Sequence, residues 1–167
     1  KNKKVKTGAV LEPQTVDLLV VGSGTGLAAA LAAYENELST LVIEKTPYVG
    51  GSTALSGGAF WIPGNQVLKK DGSKDDVQYG RQYLKALIKG YPQERWKAFL
   101  DKGNAAIAML YRQTALHFFW AKGYSDYHPE TPGGSATGRT CESKPFNLNR
   151  LGKEKERFRL GKMEAPL

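Results

Sequence analysis

The chain is poor in the side chains that bind metals or form disulfides. Its 167 residues include one cysteine, Cys141, and two histidines, His117 and His128. A single cysteine excludes an intramolecular disulfide framework and a cysteine-rich zinc site. Cys141 has no activating partner in the sequence, so we predict an inert thiol. His117 lies in an apolar segment and is predicted to be a satisfied core or surface histidine. No apolar run approaches the roughly 18 residues that a membrane-spanning helix needs, which excludes an integral membrane segment.

Positive charge is concentrated at the two ends of the chain. The formal net charge is +8 at pH 7, yet residues 8–149 carry 14 basic and 13 acidic side chains. A nucleic-acid-binding face would need a basic stripe across the folded body, so no nucleic-acid partner is predicted. We divide the chain into a polar basic tail (1–15), a body (16–151) and a basic, irregular end (152–167). No secretory signal follows the basic start, and a cytoplasmic location is expected.

The first third of the body has the pattern of a strand, a helix and a second strand. Val16–Val21 and Thr40–Glu44 are short apolar runs that predict buried strands of a parallel sheet. Between them, the alanine-rich segment Leu27–Tyr34 favours a helix. A strand–helix–strand unit of this length predicts an α/β fold with a Rossmann-like crossover.

The rest of the body predicts helices followed by an irregular stretch. Asp75–Lys89, Gln93–Lys102 and Asn104–Gln113 have helical patterns, and Leu116–Trp120 is typical of a strand. Residues 123–149 are rich in glycine, proline, serine and asparagine, which indicates a long loop.

A glycine-rich turn joins the first strand to the first helix. It reads Gly22-Ser23-Gly24-Thr25-Gly26, and Glu44 ends the next strand. Glycines let a diphosphate approach the backbone, the helix start favours its negative charge, and the acid can accept hydrogen bonds from a ribose. This combination predicts dinucleotide binding, and the alternative is a tight turn without a ligand. The usual spacing places the third glycine at position 27, where this chain has Leu27, so the turn is expected to be one residue shorter.

A second glycine-rich segment follows Glu44 and resembles the flavoprotein family that includes fumarate reductases and 3-ketosteroid dehydrogenases. In that family the segment runs along the flavin half of FAD, so the resemblance implies FAD as the cofactor. Its glycines allow close approach and its hydroxyls offer hydrogen bonds. The residues predicted here to bind FAD are Lys45, Gly50, Gly51, Ser52, Thr53, Ser56, Gly57 and Gly58.

Three further blocks resemble the 3-ketosteroid Δ1-dehydrogenases: WIPGNQVL at 61–68, GYSDYHPE at 123–130, and the PGG…GR…KPFN stretch through 132–149. The resemblance covers roughly residues 16–151. It implies transfer of a hydride from steroid C1 to flavin N5 and of a proton from C2 to a tyrosine base. Tyr127 matches the family tyrosine that lines the active site and hydrogen-bonds that base, while the role of His128 stays open. Trp61 is expected to pack in the core or to border the flavin.

Enzymes of this family are several-fold longer than this chain, which resembles their amino-terminal portion and lacks the base. The resemblance implies a steroid-like substrate and an external electron acceptor. A truncated sheet would expose apolar surface, so self-association is expected. Two alternatives stay open: a nucleotide-binding or partner-interaction module without redox chemistry, and a related flavin dehydrogenase of the fumarate reductase or 3-ketosteroid Δ4 type.

Overall fold

Two small sheets and four α-helices make up the described part of the chain, residues 14–161 of a computed structural model. In chain order the elements are β1 (Leu18–Val21), α1 (Gly26–Glu35), β2 (Thr40–Ile43), β3 (Ala59–Trp61), α2 (Gln66–Lys70), α3 (Val77–Leu87), α4 (Gln93–Gln113), β4 (Phe118–Trp120) and β5 (Thr140–Ser143). Strands β1 and β2 form a parallel pair, and β3, β5 and β4 form an antiparallel sheet in that order. Two 3-10 helical segments, Thr53–Leu55 and Leu148–Arg157, lie in the connections.

The first sheet confirms the predicted strand–helix–strand unit. Leu18 pairs with Thr40 at one end of the ladder, and Val21 pairs with Ile43 at the other. Helix α1 forms the crossover and packs closely on β1, because a Cβ at Gly26 would lie 2.7 Å from Val20 Cγ1. The α/β fold class predicted from the sequence is therefore correct.

The prediction that both strands are buried was wrong. Val20 faces α1 and is 5% exposed, whereas its neighbours Leu19 and Val21 are 52% and 76% exposed. Alternate residues of a strand point to opposite faces, so Leu19 and Val21 share the face away from α1. Within residues 14–161 no second layer covers that face.

A serine–carboxylate pair ties the two strands together where they begin. The backbone N–H and the hydroxyl of Ser39 donate to Asp17 Oδ2 at 2.9 and 2.6 Å, and Asp17 N–H donates to Ser39 Oγ at 3.0 Å. These bonds hold the pre-strand segments side by side.

The second sheet rests on the main hydrophobic core. Its middle strand, β5, lies inside the stretch predicted to be irregular, which corrects that prediction. Thr140 and Cys141 are buried here although the strand's sequence, TCES, has little apolar character. The core cluster consists of Ile62, Val67, Leu68, Ile107, Phe118 and Cys141.

Helix α4 corrects a second prediction, because it is one helix of 21 residues where two were expected. Gly103 does not break it. This glycine is buried against Ile62, and a Cβ there would lie 2.6 Å from Ile62 Cγ2. The helix needs a residue without a side chain at that contact, and a sequence pattern does not distinguish this requirement from a helix end.

Residues beyond the predicted boundary at position 151 return to the loop after β2. Val49 N–H donates to the carbonyl of Arg157 at 2.6 Å, and Arg159 N–H donates to the carbonyl of Val49 at 2.8 Å. Residues 1–13 and 162–167, which belong to the predicted tails 1–15 and 152–167, lie outside the described residues. The domain boundaries stay predictions.

Candidate functional site

The glycine-rich turn is tied to the end of β2 by a second serine–carboxylate pair. Ser23, 2% exposed, donates its backbone N–H and its hydroxyl to Glu44 Oε2 at 2.9 and 2.6 Å. Thr46 donates its N–H and hydroxyl to Glu44 Oε1 at 3.0 and 3.2 Å. These four donors hold the carboxylate beside the turn.

The same hydrogen bonds lower the pKa of the Glu44 carboxyl group. The hydroxyl of Ser23, then its N–H and that of Thr46, lower the pKa of Glu44 from 4.5 to about 2. Hydrogen bonds to the charged form favour that form. The group is therefore an anion over the whole physiological range.

The two glycine-rich segments approach each other closely. A Cβ on Gly24 would lie 3.4 Å from Thr53 Oγ1, and a Cβ on Gly51, whose φ is +52°, would lie 3.2 Å from Gly24. Ser23 also accepts a hydrogen bond from Gly50 N–H at 2.9 Å, so one buried hydroxyl joins the turn, the acid and the second segment. Gly22, with φ +96°, has open space where a Cβ would stand.

A cavity, here called the glycine cavity, lies between these segments. Leu27, which replaces the expected third glycine, does not line it, and Gly26 takes over the close packing of helix on strand. Most of the predicted cofactor residues line it. They are Gly22, Ser23, Gly24, Thr25, Gly26, Glu44, Gly51, Ser52 and Thr53, together with Val21.

The other predicted cofactor residues lie outside the glycine cavity. Gly50 is buried against Ala54, and Gly58, with φ +74°, lies under Ser143. The Ser56 hydroxyl donates to the carbonyl of Thr53 at 2.7 Å. Lys45 is exposed and lines neither the glycine cavity nor a second cavity described below. Gly57 belongs to the second cavity.

This second cavity, here called the tyrosine cavity, lies beside β3 and α3. Tyr127, the predicted catalytic residue, lines it and is 86% exposed. The wall is mainly apolar and aromatic, with a few polar groups. Its lining includes Phe60, Trp61, Tyr83, Leu84, Leu87, Tyr124, Tyr127, His128 and Glu142.

A buried ion cluster supports the loop that carries Tyr127, and sequence reasoning missed it. Asp126 Oδ2 lies 3.1 Å from Arg139 Nη2, and Asp75 Oδ1 lies 3.4 Å from Arg139 Nη1. Trp61 donates its indole N–H to Asp126 Oδ1 at 2.8 Å, which gives this tryptophan a polar partner beyond its packing role. Burial raises the pKa of Asp75. The sequence signal was an arginine inside a glycine- and serine-rich stretch, which does not reveal that its partners include Asp75, 64 positions earlier.

The remaining candidates behave as structural groups. Cys141 is fully buried, and burial raises the pKa of its thiol to about 11, which suppresses the nucleophilic thiolate. His117 is exposed, with its ring 6.1 Å from that of Tyr111. Across residues 14–161 no group of histidine, cysteine and carboxylate side chains could hold a metal ion, and no helix is long and apolar enough to cross a membrane.

The residues of the glycine cavity fit the diphosphate and ribose of a dinucleotide. Helix α1 begins at the cavity without a side-chain cap and without an acidic residue in its first turn. Its positive end is therefore open to a phosphate. Side chains are absent at Gly22 and Gly24, where a phosphate would approach, and Glu44 stands at the cavity wall.

Comparison with known proteins agrees with this geometry. The sequence profile of the family described as FAD binding domain matches residues 17–166. The chain is 50% identical over 141 residues to the 3-oxosteroid 1-dehydrogenase of Mycolicibacterium smegmatis, which covers 83% of this chain and 25% of that protein. It is 32% identical over 136 residues to the 4-oxocyclohexanecarboxylate 2-dehydrogenase of Sinomonas cyclohexanicum, covering 80% of this chain and 24% of that protein.

A solved structure gives the same result for the fold. The 3-ketosteroid Δ1-dehydrogenase of Sterolibacterium denitrificans, in complex with 1,4-androstadiene-3,17-dione, superposes with a TM-score of 0.81 at 35% identity and covers 87% of this chain and 26% of that one. The chain thus spans about a quarter of the length of the relatives that it matches. With its glycine cavity, its parallel strand pair and this match along most of its length, the chain belongs to the family of FAD-binding domains.

Proposed function

We propose that this chain is the FAD-binding portion of an oxidoreductase that dehydrogenates ring A of a 3-ketosteroid between C1 and C2. The substrate class is taken from the relatives, since the chain is 50% identical to one 3-oxosteroid 1-dehydrogenase and superposes on another. The chain spans about a quarter of these relatives, and the proposal places the tyrosine base in the part that it does not match.

The reaction removes a hydride from C1 and a proton from C2, and the C1–C2 single bond becomes double. Bound FAD would supply the hydride acceptor, and an external electron acceptor would then take up the two electrons. The glycine cavity residues hold the diphosphate and the ribose. Tyr127 donates a hydrogen bond to the base, which favours the charged phenolate form of that base and lowers its pKa from the usual value of about 10.

The observation that carries this proposal is the course of residues 51–58. Gly51, Ser52 and Thr53 line the glycine cavity, and Gly57, a few residues later, lines the tyrosine cavity. One short segment therefore connects a site suited to a diphosphate with an aromatic site suited to fused apolar rings. A cofactor held by the glycine cavity residues would thus share this segment with the cavity that Tyr127 lines.

The test uses a hybrid enzyme in which this chain replaces the matching segment of the M. smegmatis dehydrogenase. Steroid-dependent reduction of an electron-accepting dye is expected, and Tyr127→Phe should lower kcat roughly tenfold or more with a smaller change in KM, because the lost hydrogen bond acts on proton transfer. The matched control is Tyr91→Phe, which changes an exposed tyrosine outside both cavities. An unchanged kcat for Tyr127→Phe would contradict the role of Tyr127, and a flavin-loaded hybrid without steroid-dependent activity would contradict the proposed function.

A smaller cyclic ketone is the second candidate substrate, because the Sinomonas relative acts on 4-oxocyclohexanecarboxylate by its name. The same hybrid distinguishes the two, since kcat/KM for a steroid should exceed that for a cyclohexanone carboxylate.

We also propose that the chain self-associates through the open face of its first sheet. The cytoplasmic location expected from the sequence stays a prediction.

A further inference from the structure

Asp126, the residue before Tyr127, is fixed from several sides. Its side chain is 1% exposed. Oδ1 accepts the indole N–H of Trp61 at 2.8 Å, and Oδ2 accepts the backbone N–H of Ser135 at 3.0 Å. Its own N–H donates to the carbonyl of Ser135 at 3.0 Å, so the loop is closed on itself at this point.

Arg139 extends this anchoring to the rest of the protein. It is 1% exposed, and its Nη2 lies 3.1 Å from Asp126 Oδ2 and donates to the carbonyl of Gly133 at 2.6 Å. The guanidinium lies over the rings of Trp61 and Tyr83, at 5.4 and 5.8 Å from their centroids. A buried guanidinium with this many partners leaves the loop little freedom to shift.

The residue after Tyr127 is anchored as well. His128 N–H donates to the Tyr83 hydroxyl at 3.2 Å. The surrounding turn is close-packed, because a Cβ on Gly134 would lie 2.7 Å from the carbonyl oxygen of His128. Tyr127 is thus an exposed side chain between two backbone neighbours that are both held by buried groups.

We propose that Asp126 and Arg139 are positioning residues for Tyr127, fixing its backbone so that the phenol is kept at the tyrosine cavity. The proposal rests on the proposed function, in which Tyr127 serves the reaction. Asp126 fixes the backbone on one side of Tyr127, and on the other side His128 is held by Tyr83, whose ring lies against the Arg139 guanidinium. The buried Asp126–Arg139 ion pair thus fixes the backbone directly before Tyr127.

Two substitutions test this at different severity. In Asp126→Asn the new amide has one acceptor and one NH₂ group, and in either orientation the NH₂ faces an N–H donor, from Trp61 on one side or from Ser135 and Arg139 on the other. Arg139→Lys keeps the buried charge but loses the planar fork that reaches several partners. Asp101→Asn is the matched control, because Asp101 forms an exposed ion pair with Arg81 at 2.9 Å and lines neither cavity.

The first measurement uses the chain itself. Backbone ¹⁵N relaxation, recorded below the melting transition of each variant, should show lower order at the Tyr127 and His128 amides in Asp126→Asn and Arg139→Lys than in the wild type and Asp101→Asn. Folded variants with unchanged order at both amides would overturn the proposal.

The second measurement is a double-mutant cycle in the hybrid enzyme, after flavin absorbance and melting have verified each protein. Asp126→Asn should lower kcat roughly tenfold to a hundredfold when Tyr127 is present, since small misplacements of a reacting group are that costly. In a Tyr127→Phe background it should cost little more, because both changes remove the same contribution. Equal losses in both backgrounds would overturn the positioning role alone, whereas a wild-type hybrid without steroid-dependent activity would overturn the proposed function as well.

Discussion

The hydroxyl of Ser23 connects three segments of the chain. It donates to Glu44 and accepts from Gly50. The glycine turn and the acid could be predicted from the sequence because their spacing is local and physically constrained. The partners of Asp126 could not, because the indole that it binds belongs to a residue 65 positions away.

The carboxylate of Glu44 predicts an acid-dependent loss of stability. Its pKa is about 2 in the folded chain and 4.5 once the bonds from Ser23 and Thr46 are lost on unfolding, so the unfolded chain binds the proton more tightly. The stabilisation is complete above pH 4.5 and disappears as the pH falls toward 2. Urea unfolding measured across that range should show a steeper fall in stability for the wild type than for Glu44→Gln.

The control for this comparison is Glu156→Gln, which changes an exposed glutamate whose carboxylate has no hydrogen bond from the described residues. Asp17, whose pKa Ser39 lowers in the same way, adds a similar dependence to every variant. Parallel pH curves for the wild type and Glu44→Gln would contradict the assignment.

At the scale of elements, the prediction succeeded where the signal was local. The first strand, α1 and the second strand follow from apolar runs and alanine content. Strand β5 was missed because Thr140 and Cys141 are buried by their place between β3 and β4, which the stretch TCES does not encode. Helix α4 was predicted as two helices that meet at Gly103, because glycine is a weak helix former and its contact with Ile62 lies far away in the sequence.

Gly103→Ala should therefore destabilise the chain although alanine favours helices. The gain in helix propensity is about 1 kcal/mol, whereas forcing a methyl group into a packed contact costs typically about 1–3 kcal/mol. The obstacle is Cγ2 of Ile62, a buried β-branched side chain that has little rotamer freedom. Thermal unfolding should show a lower Tm than that of Lys102→Ala, a change at the exposed neighbouring position. A Tm at or above the wild-type value would contradict this prediction and would mean that the Ile62 side chain moves to accommodate the methyl group.

At the scale of the whole molecule, the open face and edges of the first sheet are the main departure from a finished α/β fold. The described residues provide two strands and one covering helix, and Leu19 and Val21 face outward. Unpaired strand edges and apolar surface of this kind favour association between chains.

We expect sedimentation or light scattering to show association of the chain that increases with concentration, and Leu19→Lys to reduce it by placing a charge on the open face. The control is Leu160→Lys, which alters an exposed leucine outside the first sheet and should leave association unchanged. A wild-type chain that stays monomeric at every concentration would contradict this expectation.

The two serine–carboxylate pairs limit how far β1 and β2 can slide past each other. Asp17 and Ser39 join the strands before they begin, and Ser23 and Glu44 join them after they end. Sliding one strand past the other by a single position would break the hydrogen bonds of both pairs at once. The two pairs therefore fix the register of β1 against β2, and we expect the glycine-rich turn to stay beside Glu44 when a ligand enters or leaves the glycine cavity.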